Sequence, residues 1–154
     1  GFKVFLFNAL RPTPELSFAI RELQCQAGVV VTASHNPKEY NGYKAYWEDG
    51  GQLVSPHDRN VIAEVEKITD PSMVNFNANE SLIEYLDEKF DEIYLNKILG
   101  LSLSPELIKK QKDLRFVFTP IHGTGGQIVP KLFKNSYRIR SLNVWESLKS
   151  PQPV

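Results

Sequence analysis

The chain has 154 residues, 42% hydrophobic and 23% charged, enough for one good core or two small ones. Its 18 basic and 18 acidic side chains cancel, which removes the positive field that non-specific nucleic-acid binding relies on, so no nucleic-acid partner is expected. No apolar run reaches the roughly 18 residues of a membrane span, and a lone cysteine, Cys25, forms no internal disulfide, so the reading is a globular protein of a reducing compartment, the cytoplasm.

The first residues, Gly1-Phe2-Lys3, carry no Met and open in mid-strand, as in a cut fragment. Phe2 to Phe7 is a nearly continuous apolar run and predicts a strand. Thr13-Pro14-Glu15 has the cap-then-proline order of a helix start, and Leu16, Ala19, Ile20 and Leu23 follow at helical spacing. Gly28 to Val31 then reads as a strand buried on both faces. Strand, helix and strand predict one βαβ unit with parallel strands and a right-handed crossover, which opens both loops on one rim. Arg11 falls near that rim, either as a phosphate contact or as a structural loop residue.

The second strand feeds into Thr32-Ala33-Ser34-His35-Asn36-Pro37, and then Lys38-Glu39-Tyr40-Asn41-Gly42-Tyr43-Lys44. Residues just past strand ends line the ligand crevice of open parallel sheets. Pro37 keeps Asn36 out of the helical region and Asn41-Gly42 signals a turn, so the segment is bent and exposed. Taken by its chemistry, it is a phosphate site, a hydrolase nucleophile or a polar turn. The hydrolase reading lacks the Gly-x-Ser-x-Gly elbow, and a histidine adjacent to a serine is expected to point away from it. Tyr43 to Trp47 alternates as a strand, antiparallel to its predecessor because the link is too short for a parallel return.

Ser55-Pro56-His57-Asp58 predicts a capped helix start with Val61, Ile62, Val65 and Ile68 on its inner face, and His57 on its surface. Asp70 to Asn79 lacks any period and reads as a linker, which divides the chain into residues 1–78 and 79–154. Ser81 to Ile98 is expected as one long helix with Leu82, Tyr85, Leu86, Phe90 and Ile93 inward and the acids Glu84, Asp87, Glu88, Asp91 and Glu92 on a solvated face. A short helix follows at Ser104-Pro105-Glu106. Leu114 to Phe118 predicts a strand that ends in Thr119-Pro120-Ile121-His122-Gly123-Thr124-Gly125-Gly126, a glycine-rich turn suited to an anion, before the helical Ile128, Val129, Leu132 and Phe133.

Thr32-Ala33-Ser34-His35-Asn36-Pro37 followed by Tyr40-Asn41-Gly42-Tyr43-Lys44 resembles the active-site loop of the α-D-phosphohexomutases, the phosphoglucomutase and phosphomannomutase family. Arg11-Pro12-Thr13-Pro14-Glu15-Leu16 and Tyr46-Trp47-Glu48-Asp49-Gly50 are most similar to its phosphoglucomutase/phosphopentomutase-like branch. Thr119 to Gly125 resembles the segment that opens the second domain there, and His122 is either a cleft residue or a turn stabiliser. Leu148 to Pro153 looks like the remnant of a Ser-Pro-Asn-Pro segment, with Gln152 in place of Asn.

The resemblance implies an α/β fold: a three-layer mixed sheet with helices on both faces over residues 1–78, and the start of a second similar domain. It implies an isomerase that interconverts hexose 1- and 6-phosphates, glucose foremost, with pentose 1-/5-phosphates or a non-catalytic sugar-phosphate-binding homologue as alternatives. By match, Ser34 carries the phosphoryl group, Lys44 is the acid/base, His35 positions the phosphate or assists proton transfer, and Arg11 and His122 bind substrate. Mg²⁺ is implied beside the Ser34 phosphate, held also by a loop this sequence lacks, and glucose 1,6-bisphosphate is implied as activator.

Overall fold

The computed structural model describes residues 1–111, 113–121, 123–136 and 141–144, with backbone alone at 38, 116, 135, 136 and 141–144. The architecture is mixed α/β: strands β1 (Val4–Phe7), β2 (Ala27–Thr32), β3 (Gly42–Trp47), β4 (Ile83–Leu86), β5 (Arg115–Phe118) and β6 (Ser141–Val144) alternate with helices α1 (Thr13–Glu22), α2 (His57–Val65), α3 (Glu88–Gly100), α4 (Pro105–Lys110) and α5 (Ile128–Lys131). The strands pair two by two among the described residues, β1 with β4, β2 with β3 and β5 with β6. Among the described residues β1 and β2 are not hydrogen-bonded neighbours: β2 bonds to β3 and β1 to β4. The chain makes two compact units, Gly1–Val4 with Thr13–Glu84, and Phe5–Pro12 with Tyr85–Val154.

In the first unit α1 buries Phe18, Ala19 and Ile20, and Tyr46 and Leu53 complete the core. The large ones, Phe18, Ile20 and Leu53, each contribute about 1.5 to 3 kcal/mol by leaving water. Helix and strand approach so closely that a Cβ at Gly28 would collide with Ile20 Cδ1. The helix stops in a turn where Gln24 takes a φ of 53° and Cys25 N–H reaches back to Ile20 O at 2.8 Å, the usual way of satisfying late helical carbonyls. Cys25 is a half-buried free thiol whose pKa is raised by burial.

The β2–β3 ladder is antiparallel, as the short link requires, and runs from Ala27 opposite Trp47 to Thr32 opposite Gly42. Alternate β2 residues face α1. The others do not: Val29 is 47% and Val31 64% exposed, so β2 is covered on one face within this chain rather than on both. The turn after β3 docks on α1 through Ser17 Oγ, which donates to Gly50 O at 2.6 Å, and Arg21 Nη1, which donates to Asp49 O at 3.3 Å. Gly50 has a φ of 76°, and a Cβ there would lie 2.5 Å from Ser17 O.

Helix α2 begins at His57, with Pro56 at the cap position and no side-chain capping bond, and buries none of its residues. Asp58 Oδ1 instead accepts from the Arg59 N–H beside it. The expected inner face is open, with Ile62 and Val65 each 56% exposed. His57 is exposed and meets Trp47 edge to face at 5.6 Å.

The long helix expected from Ser81 splits. A 3₁₀ turn and β4 take residues 80–86, and α3 starts only at Glu88, where Asp87 caps it by accepting from Lys89 N–H at 2.9 Å. A capping aspartate competes with helix propagation through its own position, which explains the break. Leu86, Phe90, Leu95 and Ile128 are buried in the second unit, and Phe90 packs edge-on against Phe7 at 5.9 Å. Strands β5 and β6 are parallel and flank the glycine-rich turn and α5. The Leu148 to Pro153 segment lies outside the described residues.

Asp91 departs most from expectation: it is fully buried, not on a solvated face. Arg11 Nε donates to its Oδ1 at 2.6 Å and Nη2 to its Oδ2 at 3.1 Å, while Lys131 Nζ donates to Oδ2 at 2.7 Å. Burial by itself raises the Asp91 pKa, but the hydrogen bonds and charges of Arg11 and Lys131 outweigh it and hold the carboxyl below 3.8.

Asp91→Ala is therefore expected to cost about 3 to 5 kcal/mol in urea unfolding, because it strands the buried Arg11 charge. A depressed folded pKa places this contribution above the unfolded value near 3.9 and removes it as pH falls through the folded value; acid unfolding of wild type should lose that component, and Asp91→Ala should lack it. Gly50→Ala should cost more than the roughly 1 kcal/mol of an ordinary glycine replacement, read as a lower thermal midpoint.

Candidate active site

The ladder between β2 and β3 ends at the Thr32–Gly42 pair, so everything from Ala33 to Asn41 hangs from one strand mouth. Thr32 Oγ1 accepts the Ser34 N–H at 2.9 Å. Asn36 N–H donates to Ala33 O at 3.0 Å and closes a four-residue turn around Ser34 and His35. Tyr40 N–H donates to Pro37 O at 2.9 Å, and a 3₁₀ turn over Lys38–Tyr40 returns the chain to β3.

Ser34 occupies the first corner of the turn with a φ of 58°. A non-glycine residue in that half of φ space costs of order 1 to 3 kcal/mol and persists only where its surroundings over-determine it. Both Ser34 and His35 are exposed. The expectation that the adjacent imidazole points away is overturned: His35 Nδ1 lies 3.4 Å from Ser34 Oγ, because the positive φ swings the serine out of the extended arrangement in which neighbours diverge. The serine is thus solvent-facing, with a proton acceptor or donor beside its hydroxyl according to the imidazole tautomer.

Lys44 is half-buried on β3, opposite Val30 and two residues in from Gly42. Two residues of strand span about 7 Å, and alternation puts Lys44 on the same side of the ladder as Thr32. Arg11, in the second unit, is 8% exposed and spends its donors on Asp91, on Leu10 O at 3.2 Å and on Asn8 Oδ1 at 3.5 Å. Expected residue His122 lies outside the described residues. No group of three or more His, Cys, Asp or Glu able to hold a metal occurs among the described residues.

Two residues escaped the sequence reading. Thr32 looked like the last residue of a strand, although a threonine two positions before a serine in a turn is the spacing of a side-chain-to-backbone bond. Asp91 sat in a run of acids with no local mark of its counter-ion, which is 80 residues away.

Residues 1–72 match the family model described as phosphoglucomutase/phosphomannomutase, alpha/beta/alpha domain I. A phosphoglucomutase of Staphylococcus haemolyticus is 40% identical over 139 residues, covering 88% of this chain and 25% of that protein. A human glucose 1,6-bisphosphate synthase is 38% identical over 137 residues, covering 85% and 22%. The crystal structure of a phosphomannomutase, itself described as putative, from Thermus thermophilus superposes with a TM-score of 0.69 at 26% identity over 94% of this chain and 30% of its own. The chain thus spans about a quarter of the length of the curated relatives that it matches. Residues 1–72, with their exposed serine at the mouth of β2, are thus a first domain of the phosphoglucomutase/phosphomannomutase family, and the similarity to its members continues well beyond that domain.

Proposed function

We propose that these residues form the phosphoryl-carrying part of a phosphosugar mutase, residues 1–78 belonging to its first domain and 79–154 to a connection and the start of a second. The observation that carries this reading is the exposed Ser34 hydroxyl held at positive φ beside His35. The phosphoryl group sits on Ser34 Oγ. In the forward step the bond from phosphorus to Oγ breaks and Oγ leaves with a proton from His35, while a bond to a free sugar hydroxyl forms and Lys44 takes the hydroxyl proton. The resulting bisphosphate turns over and returns its other phosphoryl group to Ser34: Oγ gives its proton back to His35 as it attacks, and the proton returns from Lys44 to the departing sugar oxygen. The loop contributes alignment, which is the main lever in phosphoryl transfer.

His35 keeps the phosphate oxygens or the departing proton in register. We assign substrate contacts to Arg11 and His122; in that role Arg11 shares its guanidinium with Asp91. A phosphoserine carries nearly two negative charges, and Mg²⁺ neutralises charge on the transferring oxygens when bound. We assign it the Ser34 phosphate as one ligand and place its further ligands in the remainder of the protein. Glucose is the favoured sugar and glucose 1,6-bisphosphate the activator that charges Ser34; a free Cys25 agrees with a cytoplasmic setting.

A second reading is favoured by the glucose 1,6-bisphosphate synthase relative: the same transfer, with the bisphosphate released as product and Ser34 recharged each cycle by a separate phosphoryl donor such as an acyl phosphate. Steady-state assay of the longer natural polypeptide that contains these residues separates the two by whether glucose 6-phosphate or free bisphosphate accumulates.

In that polypeptide Ser34→Ala should abolish turnover and Lys44→Met should lower kcat about 10²- to 10⁴-fold, the span of a lost acid/base. Unchanged kcat in Ser34→Ala would refute the proposal. The isolated 154-residue chain should show no mutase turnover with glucose 1-phosphate, and measurable turnover would contradict the division of the site assumed above.

A further inference from the structure

The Ser34 turn occurs twice. Past β5 the chain reads Thr119-Pro120-Ile121-His122, which shares its threonine and histidine positions with Thr32-Ala33-Ser34-His35 past β2. Three features of the first turn recur in the second. Ile121 N–H donates to Thr119 Oγ1 at 3.1 Å, as Ser34 N–H does to Thr32 Oγ1 at 2.9 Å. Gly123 N–H donates to Pro120 O at 2.7 Å, as Asn36 N–H does to Ala33 O at 3.0 Å. Ile121 has a φ of 53° against 58° for Ser34.

The comparison shows which bonds accompany the serine's conformation. A serine at positive φ is uncommon but accessible; a β-branched isoleucine there is a true outlier, since its second γ-carbon crowds the backbone. A turn that forms equally around Ser and Ile is not specified by the residue at that corner. What the two share is the threonine hydroxyl two positions earlier, which pins the corner N–H, and the closing bond one residue beyond. The asparagine or glycine that closes the turn supplies only a backbone N–H, which any residue but proline offers. The threonine side chain is therefore the sequence-specific part.

We infer that Thr32 is a positioning residue for phosphoryl transfer: its hydroxyl fixes the backbone of Ser34 at positive φ and so sets the direction in which Oγ leaves the strand mouth. This rests on Ser34 being the phosphoryl carrier, as proposed above. Thr32 touches no reacting atom in this account. It acts through the Ser34 N–H, and a displacement of the nucleophile of about 1 Å is enough to cost some 10²-fold in rate.

Two substitutions divide the hydroxyl from the shape. Thr32→Val keeps volume and strand preference and removes the acceptor; Thr32→Ser keeps the acceptor and removes the methyl. In the longer polypeptide, Thr32→Val should lower kcat about 100-fold with KM for the sugar phosphate little changed, and Thr32→Ser should retain most of the wild-type kcat. In the 154-residue chain, the three-bond amide-to-Hα coupling and chemical shifts of Ser34 should report loss of the positive φ in Thr32→Val and its retention in Thr32→Ser. A merely structural threonine predicts the reverse order, with Val tolerated and Ser impaired, and that result overturns the inference. Wild-type kcat in Thr32→Val overturns it too. Full activity in Ser34→Ala would instead remove the carrier itself, so the two failures are distinguishable.

Discussion

A 2.9 Å hydrogen bond from the Ser34 N–H to Thr32 Oγ1 is the constraint from which the functional reading follows. Antiparallel pairing supplies the place, because the ladder stops at Thr32 and Gly42 and leaves a nine-residue excursion, residues 33–41, at its mouth. The threonine hydroxyl supplies the shape, by holding a non-glycine residue in a half of φ space that it would not occupy on its own. The hairpin itself is held at its other end, where α1 packs closely on β2 at Gly28 and the post-β3 turn is clamped to α1 through Ser17 and Arg21.

Charge is handled differently in the two units. Ser34 to Pro37 are exposed, where ions are hydrated and an incoming phosphate exchanges water for protein contacts at modest cost. The Asp91 cluster is internal and holds two cations against one carboxylate. Such an arrangement is strong evidence of fixed geometry and weak evidence of net stabilisation, since desolvation cancels much of the attraction. Its effect is to tie the loop after β1, helix α3 and helix α5 to one another.

Much of this was legible in the residues. The strands at Val4–Phe7, Gly42–Trp47 and Arg115–Phe118, helix α1, and the antiparallel return after the serine loop all follow from local patterns of apolar spacing and link length. Three features did not. The helix expected from Ser81 gave way to β4 because Leu82, Tyr85, Leu86 and Phe90 satisfy a helical period while Ile83 to Leu86 also suits a short strand, and the capping bond of Asp87 decides between them. Asp91 was hidden because burial of a charge depends on a partner remote in sequence. The open faces of β2 and α2 show the converse: an apolar pattern states that a face can be buried, but only the rest of the fold states what covers it. At the site itself the serine and lysine were marked by their motif, whereas the contact between Ser34 and His35 depends on a backbone angle that no side-chain pattern reveals.

The most direct test of the central claim is to expose the longer polypeptide to glucose 1,6-bisphosphate carrying labelled phosphate, quench it, digest it and locate the label. The account predicts a single labelled peptide spanning Gly28 to Lys38 with the phosphoryl group on Ser34, and its discharge when glucose 1-phosphate is added. Label on any other residue, or no label in a preparation that turns over substrate, would contradict it.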